Sequence, residues 1–81
     1  LRLSAEQGHA TGQYFLGNRY ATGQGVPKNL TEAYAWFSVA VANGDEGAVK
    51  NRDRASKMLT DDERIKGQTL AKQYFEKYQP R

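Results

Sequence analysis

The sequence contains a spaced echo of itself. Ser4-Ala5-Glu6-Gln7-Gly8 returns as Ala40-Val41-Ala42-Asn43-Gly44, so that the glycine at position 8 recurs 36 residues on, at position 44. A period of that length is the size of one helix-turn-helix unit, which cannot bury its apolar face alone and must stack on its neighbours. The echo therefore constrains the chain to an all-α architecture in which one helix pair leans on the next. Proteins built this way usually bind other proteins.

Composition narrows the function classes. With 81 residues the chain is one small domain at most, and domains near this size bury only roughly 60% of the surface their unfolded chains expose. No apolar run approaches the roughly 20 residues needed to span a bilayer, and no membrane insertion is expected. The richest stretch, Ala33 to Ala42, is broken by Ser38 and reads as a buried helix. There is no cysteine, so neither a disulfide nor a thiolate site is available. With Met58 as its only methionine and Leu1 first, the chain reads as a processed protein or, in preference, a piece of a longer one.

Charge is unevenly spread. Residues 1 to 44 hold three basic groups, Arg2, Arg19 and Lys28, and two acidic ones, Glu6 and Glu32, while residues 45 to 81 hold nine basic and seven acidic. Interspersed signs at high density suit a solvated outer face at the end of a stack. They suit less well a nucleic-acid patch, which favours clustered positive charge, and nucleic-acid binding stays a third reading below the others.

Local signals divide the chain into about four helices plus a short N-terminal helical tail. Leu1 to Gln7 reads as that tail, closed by Gly8 in a left-handed cap. From Ala10 to about Thr22 the residues Gly12, Phe15, Leu16, Arg19 and Tyr20 recur at helical spacing. Gly12 and Gly17 each cost up to about 1 kcal/mol inside a helix, which close approach of a partner helix would justify. The run from Thr22 to Asn29 is a turn, since two glycines permit positive φ and Pro27 blocks helix. Asn29 with Glu32 forms a capping-box pattern ahead of a second helix, Leu30 to about Asn43, with the stripe Leu30, Ala33, Trp36, Phe37, Ala40 and Val41. A third helix, Glu46 to Met58, has a weak stripe of Ala48, Val49, Ala55 and Leu59, with Arg52 among them. Thr60 and Glu63 start a fourth helix whose rhythm is Gly67, Leu70, Ala71, Tyr74, Phe75 and Tyr78, ended by Pro80.

Ala5-Glu6-Gln7-Gly8-His9-Ala10, Leu16-Gly17-x-x-Tyr20, Gly23-Gln24-Gly25-Val26-Pro27 and Ala33-x-x-Trp36 together resemble the Sel-1-like repeat family, a relative of the tetratricopeptide repeat. The resemblance covers about residues 4 to 48, and the tail from Asn51 through Ala71 resembles the segment that closes such arrays. It implies a right-handed solenoid of antiparallel helix pairs, in which residues 1–8 end one repeat, 9–44 form a complete one, and 45–81 form a degenerate repeat and capping helix. It also implies an adaptor role, as in bacterial envelope assembly, host interaction and signalling, which favours the periplasm or envelope over the cytoplasm. His9 and Asn29 stand where the family more often has aspartate, and Gly12 where it has alanine; capping and small size are retained.

Catalysis finds little support. The chain has one histidine, and its longest acidic run, Asp61-Asp62-Glu63, reads as a helix start favoured by the helix dipole. His9 reads as a cap or surface residue, because a zinc site needs three or four ligands. Gly23-Gln24-Gly25 lacks the Gly-Lys-Ser/Thr ending of a phosphate loop. No catalytic, metal or cofactor site is expected. Most aromatics sit at core spacing, with Tyr14 and Tyr34 the exceptions.

In stacked helix pairs the first helix of each pair lines the concave surface. The 36-residue offset places Tyr14 opposite Lys50 and Asn18 opposite Arg54, and these four are the candidate protein-binding residues. The expected partner is a peptide or a helix of another protein. The alternative is a structural cap with no partner of its own, which would self-associate through an exposed N-terminal apolar face when isolated.

Overall fold

The computed structural model describes residues 2–78. Among them lie five helices and no strand: α1 Arg2–Glu6, α2 Ala10–Thr22, α3 Leu30–Ala42, α4 Ala48–Lys57 and α5 Asp61–Lys77. The helix expected from Glu46 begins later, because Asp45 Oδ1 accepts the Gly47 N–H at 3.0 Å and holds the chain in a turn first. The stop expected at Pro80 lies outside the described residues.

The echo in sequence is an echo in structure. Gly8 and Gly44 adopt φ of 83° and 103°, a region open to glycine at no steric cost. Gly8 N–H donates to Ala5 O at 3.1 Å and His9 N–H to Ser4 O at 3.1 Å; at the second site Gly44 N–H donates to Val41 O at 3.0 Å and Asp45 N–H to Ala40 O at 2.9 Å. Both are the paired closure of a Schellman motif, which satisfies carbonyls that a helix end would otherwise orphan.

Contacts fix the helix directions. Gln13 near the start of α2 meets Asn43 at the end of α3, and Asn29 N–H donates to Tyr20 O at the other end, so α2 and α3 are antiparallel. Gly67 lies against Tyr34, while Trp36 stacks on Tyr74 and Tyr78, so α5 crosses over the first half of α3. Helix α3 packs against α2, α4 and α5, whereas α4 and α5 touch each other less than either touches α3. The second pair is splayed and held at its turn by Arg64, which donates to Ser56 Oγ and Ser56 O at 2.9 Å and to Leu59 O at 3.2 Å.

Three helix crossings are made at glycines. A Cβ at Gly12 would sit 2.7 Å from Ser4 Cβ, one at Gly17 would sit 2.7 Å from the Phe37 ring, and one at Gly67 would sit 2.6 Å from the Tyr34 ring. The penalty of glycine within a helix thus accompanies close α1/α2, α2/α3 and α3/α5 contacts.

The buried faces differ from the expected stripes on α2, at Tyr34 and at Phe75, and the cap at Asn29 differs as well. On α2, Phe15 is 48% exposed and Arg19 is exposed, while Gln13 is fully buried. The glycine contacts at 12 and 17 aim the helix so that position 13 faces the junction of α1 and α3. Tyr34, expected off the core, is buried because α5 covers it through Gly67. Phe75 is 37% exposed, since the α5 line set by Gly67, Tyr74 and Tyr78 leaves it to one side. The capping box at Asn29 is half made: its Oδ1 accepts the Glu32 N–H at 3.1 Å, but the Glu32 carboxylate instead accepts the Tyr74 hydroxyl at 2.8 and 3.1 Å. Partial burial, then that carboxylate, raise the Tyr74 phenol above its ordinary pKa of 10.

Two buried clusters result. One joins Ala33, Tyr34, Phe37, Ala40, Ala48, Ala55 and Leu59 across α3, α4 and the α4–α5 turn; the other joins Ala5, Leu16 and Trp36, flanked by Tyr20, Tyr74 and Tyr78. Trp36 lies 4.4 Å from Tyr74 at 12° between ring planes, an arrangement worth about 0.5–1.5 kcal/mol beyond its buried area.

Candidate functional site: the α2/α4 groove

Helices α2 and α4 are the first members of successive pairs, and Asn51 joins them. Positions 14 and 18 lie one turn apart on α2, so a single amide on α4 reaches both. Asn51 Nδ2 donates to the Tyr14 hydroxyl at 3.3 Å and to Asn18 Oδ1 at 3.1 Å. This bridge holds the two helices at a fixed separation.

Beside the bridge a cavity of about 230 Å³ opens, with Asn18 and Thr22 from α2, Lys28 and Leu30 from the connection into α3, and Asn51, Arg54 and Ala55 from α4 in its wall. Phe37 forms the floor and Met58, 59% exposed, forms one edge. The turn at 23–25 leads from α2 to Lys28: Gly23 and Gly25 take φ of 78° and 77°, and the N–H groups of Gly23 and Gln24 both donate to Arg19 O. Those amides are used within the helix end and do not form an anion cradle. A second depression, sharing Lys28, Leu30 and Met58, continues past Leu59 toward Glu63.

The four candidate residues have different fates. Asn18 and Arg54 share the cavity wall. Tyr14 is half-buried, packs edge-on against Phe15 with centroids 5.4 Å apart, and lies 6.0 Å from the Phe37 ring. It supports the groove from beneath, contrary to the exposed position expected for it, because Asn51 draws its hydroxyl inward. Lys50 is exposed one turn before Arg54 but is not in the cavity wall. Asn51, Lys28 and Met58 also belong to this site. Asn51 carries no periodic signal, Lys28 lies in a turn, and Met58 closes a helix with a weak apolar stripe.

The remaining polar clusters have local tasks. His9 Nδ1 lies 3.1 Å from Ser4 Oγ, and its side chain makes no capping bond. Asp61 pairs with Arg64 at 2.8 Å. Glu63 Oε1 accepts the Thr60 N–H at 2.8 Å while Thr60 Oγ1 accepts the Glu63 N–H at 3.1 Å, a complete capping box that holds the Glu63 carboxyl below its ordinary pKa. Among the described residues no three His, Asp or Glu side chains group as metal ligands, and no helix is long and apolar enough to cross a membrane.

No curated protein matches the chain. Residues 10–45 match the family model of the Sel1 repeat, a span that contains α2, the glycine turn, α3 and the second Schellman closure. The chain thus carries a Sel1 repeat over those residues and is similar there to the Sel1 repeat family.

Proposed function

We propose that the α2/α4 groove is a docking surface for a peptide or helix of another protein. Sel1 repeats are non-catalytic helical repeats that mediate protein–protein interaction, and the groove is where this chain offers concave apolar surface with polar groups at its edge. The observation that carries the reading is the shared cavity of Asn18 and Arg54: groups from the first helices of successive pairs converge over an apolar floor of Leu30 and Phe37. Pockets of this kind combine apolar lining with a few directing polar groups, and helices or extended segments are recognised in such grooves. Tyr14 and Lys50 take indirect parts, the first by bracing Asn51 and the second by adding charge to the rim. In this reading residues 1–8 end one repeat, 9–44 form the complete one, and 45–81 form the degenerate repeat and closing helix.

The test compares proteins retained from a lysate by the unmodified chain and by an Asn18→Ala/Arg54→Ala variant. Neither side chain belongs to the buried core, so helicity should be preserved. A protein retained by the first and lost from the second is the expected result. Retention unchanged by the double substitution contradicts the groove as the binding surface.

A further inference from the structure

The cavity has a charge character that selects among partners. Its wall contains two cations, Lys28 and Arg54, and no carboxylate. Both side chains are exposed, and among the described residues neither makes an ion pair. Two carboxylates of α4 and α5 are engaged by other arginines, Asp53 by Arg52 at 3.2 Å and Asp61 by Arg64 at 2.8 Å. On the same helix as Arg54, Lys50 and Lys57 are also exposed and, among the described residues, free of ion pairs. The one carboxylate on the continuing depression, Glu63, accepts the Thr60 N–H in its capping box.

Between the two cations the surface is apolar, with Leu30, Phe37 and Ala55 in the wall and Met58 at the edge. Methionine at a binding surface adapts its shape to different apolar groups. The Asn18 amide nitrogen has no hydrogen-bond partner among the described residues, since only its Oδ1 is engaged by Asn51. It is a donor on the cavity wall that suits a peptide carbonyl or carboxylate.

From this arrangement we infer that the groove takes an acidic segment of a partner protein, with an aliphatic or aromatic side chain on the Leu30–Phe37–Met58 surface and an adjacent carboxylate between Lys28 and Arg54. The inference rests on the docking role proposed above and specifies its partner. Charge complementarity favours this occupant over a basic or neutral segment, because like charges brought together at an interface are penalised. Lys50, Arg54 and Lys57 follow one face of α4, and Lys28 reaches the same cavity as Arg54 from the turn before α3, with the apolar floor beside them. The apolar floor suits a peptide that sets an apolar side chain beside its carboxylate better than the phosphate backbone of a nucleic acid, which brings charge with no apolar group to bury there.

The experiment pans a phage-displayed random dodecapeptide library on the full chain. Selected peptides, as fluorescein conjugates, are then titrated by polarisation against the unmodified chain, Lys28→Gln/Arg54→Gln and Met58→Glu. The glutamines remove two exposed, unpaired charges, and far-ultraviolet circular dichroism confirms that each variant keeps its helicity. The inference predicts peptides enriched in Asp or Glu beside Leu, Phe or Met. Their affinity should fall about tenfold on the double glutamine variant, as expected for two exposed charge pairs, and should weaken as salt is raised. Peptides that are lost on Met58→Glu yet lack acidic enrichment and bind Lys28→Gln/Arg54→Gln normally overturn the acidic partner while leaving the docking groove standing. Peptides indifferent to all these substitutions, or a panning that enriches none, overturn both.

Discussion

Asn43 Nδ2 donates a hydrogen bond of 2.9 Å to Oε1 of Gln13, a side chain with no solvent exposure. The other end of the same amide, Gln13 Nε2, donates to Ala5 O at 3.1 Å. Ala5 and Asn43 belong to the two copies of the echoed segment, so one buried glutamine ties the closure of one helix to the closure of the helix 36 residues on. Its polar atoms are all satisfied, which is the condition under which a buried polar group is retained at low cost.

Removing that link should be expensive for its size. Gln13→Leu keeps similar bulk but leaves the Asn43 amide without its acceptor, and should cost about 1–3 kcal/mol, read as a shift in the urea midpoint. Asn43→Ala should cost less, because Asn43 is only half-buried. A double-mutant cycle between the two should show a coupling of at least about 0.5 kcal/mol; additive effects would remove Gln13 from its role as the tie.

The helix crossings make a second prediction. Alanine at Gly17 or Gly67 gains up to about 1 kcal/mol in helix propensity, yet its Cβ would lie within 2.7 Å of the Phe37 or Tyr34 ring. Overpacking of a filled core costs typically 1–3 kcal/mol, so each substitution should lower Tm. A rise in Tm at either site would show that the crossing has room the contacts do not display.

Trp36 should be the most sensitive core position. It joins Ala5 and Leu16 to Tyr74 and Tyr78, and Trp36→Ala should cost about 3–5 kcal/mol. That is a large part of the 5–15 kcal/mol typical of whole domains, so circular dichroism should report loss of the cooperative transition. A clear transition with a small shift would contradict this account of the core.

Acid should loosen the start of α5. Glu63 is depressed below its ordinary value of 4.5 in the folded state, first by the Thr60 backbone bond and then by the Thr60 hydroxyl. A depressed carboxyl contributes stability that is present above the unfolded pKa and is lost as pH falls through the folded one. The stability difference between pH 6 and acid below about pH 4 should therefore be larger for the unmodified chain than for Glu63→Gln. Equal acid sensitivity would mean that the capping box carries no charge-dependent part.

The parts of the fold most legible in sequence were those set by local chemistry. Gly8, Gly44, Asn29 and Thr60 marked helix ends because caps depend on one residue and its near neighbours. The faces of the helices were less legible. Phe15 and Phe75 have core chemistry but are exposed, and Gln13 has surface chemistry but is fully buried, because which face turns inward is decided by where glycines let helices approach. The groove was legible in part: the repeat offset led to Asn18 and Arg54, which share a cavity wall. Lys28 and Met58 come to it from a turn and a helix end, where no periodicity points, and Asn51 makes its bonds to residues more than 30 positions away.

The central claim is that partners dock between α2 and α4, and site-specific photocrosslinking tests it most directly. A benzophenone side chain is placed at Thr22, on the cavity wall, or at Gln68, on the exposed side of α5, and each chain is irradiated in lysate. The account predicts a defined adduct from Thr22 that is abolished by Arg54→Ala, and none from Gln68. A defined adduct from Gln68 with none from Thr22 would contradict it and move the binding surface to the outer helix.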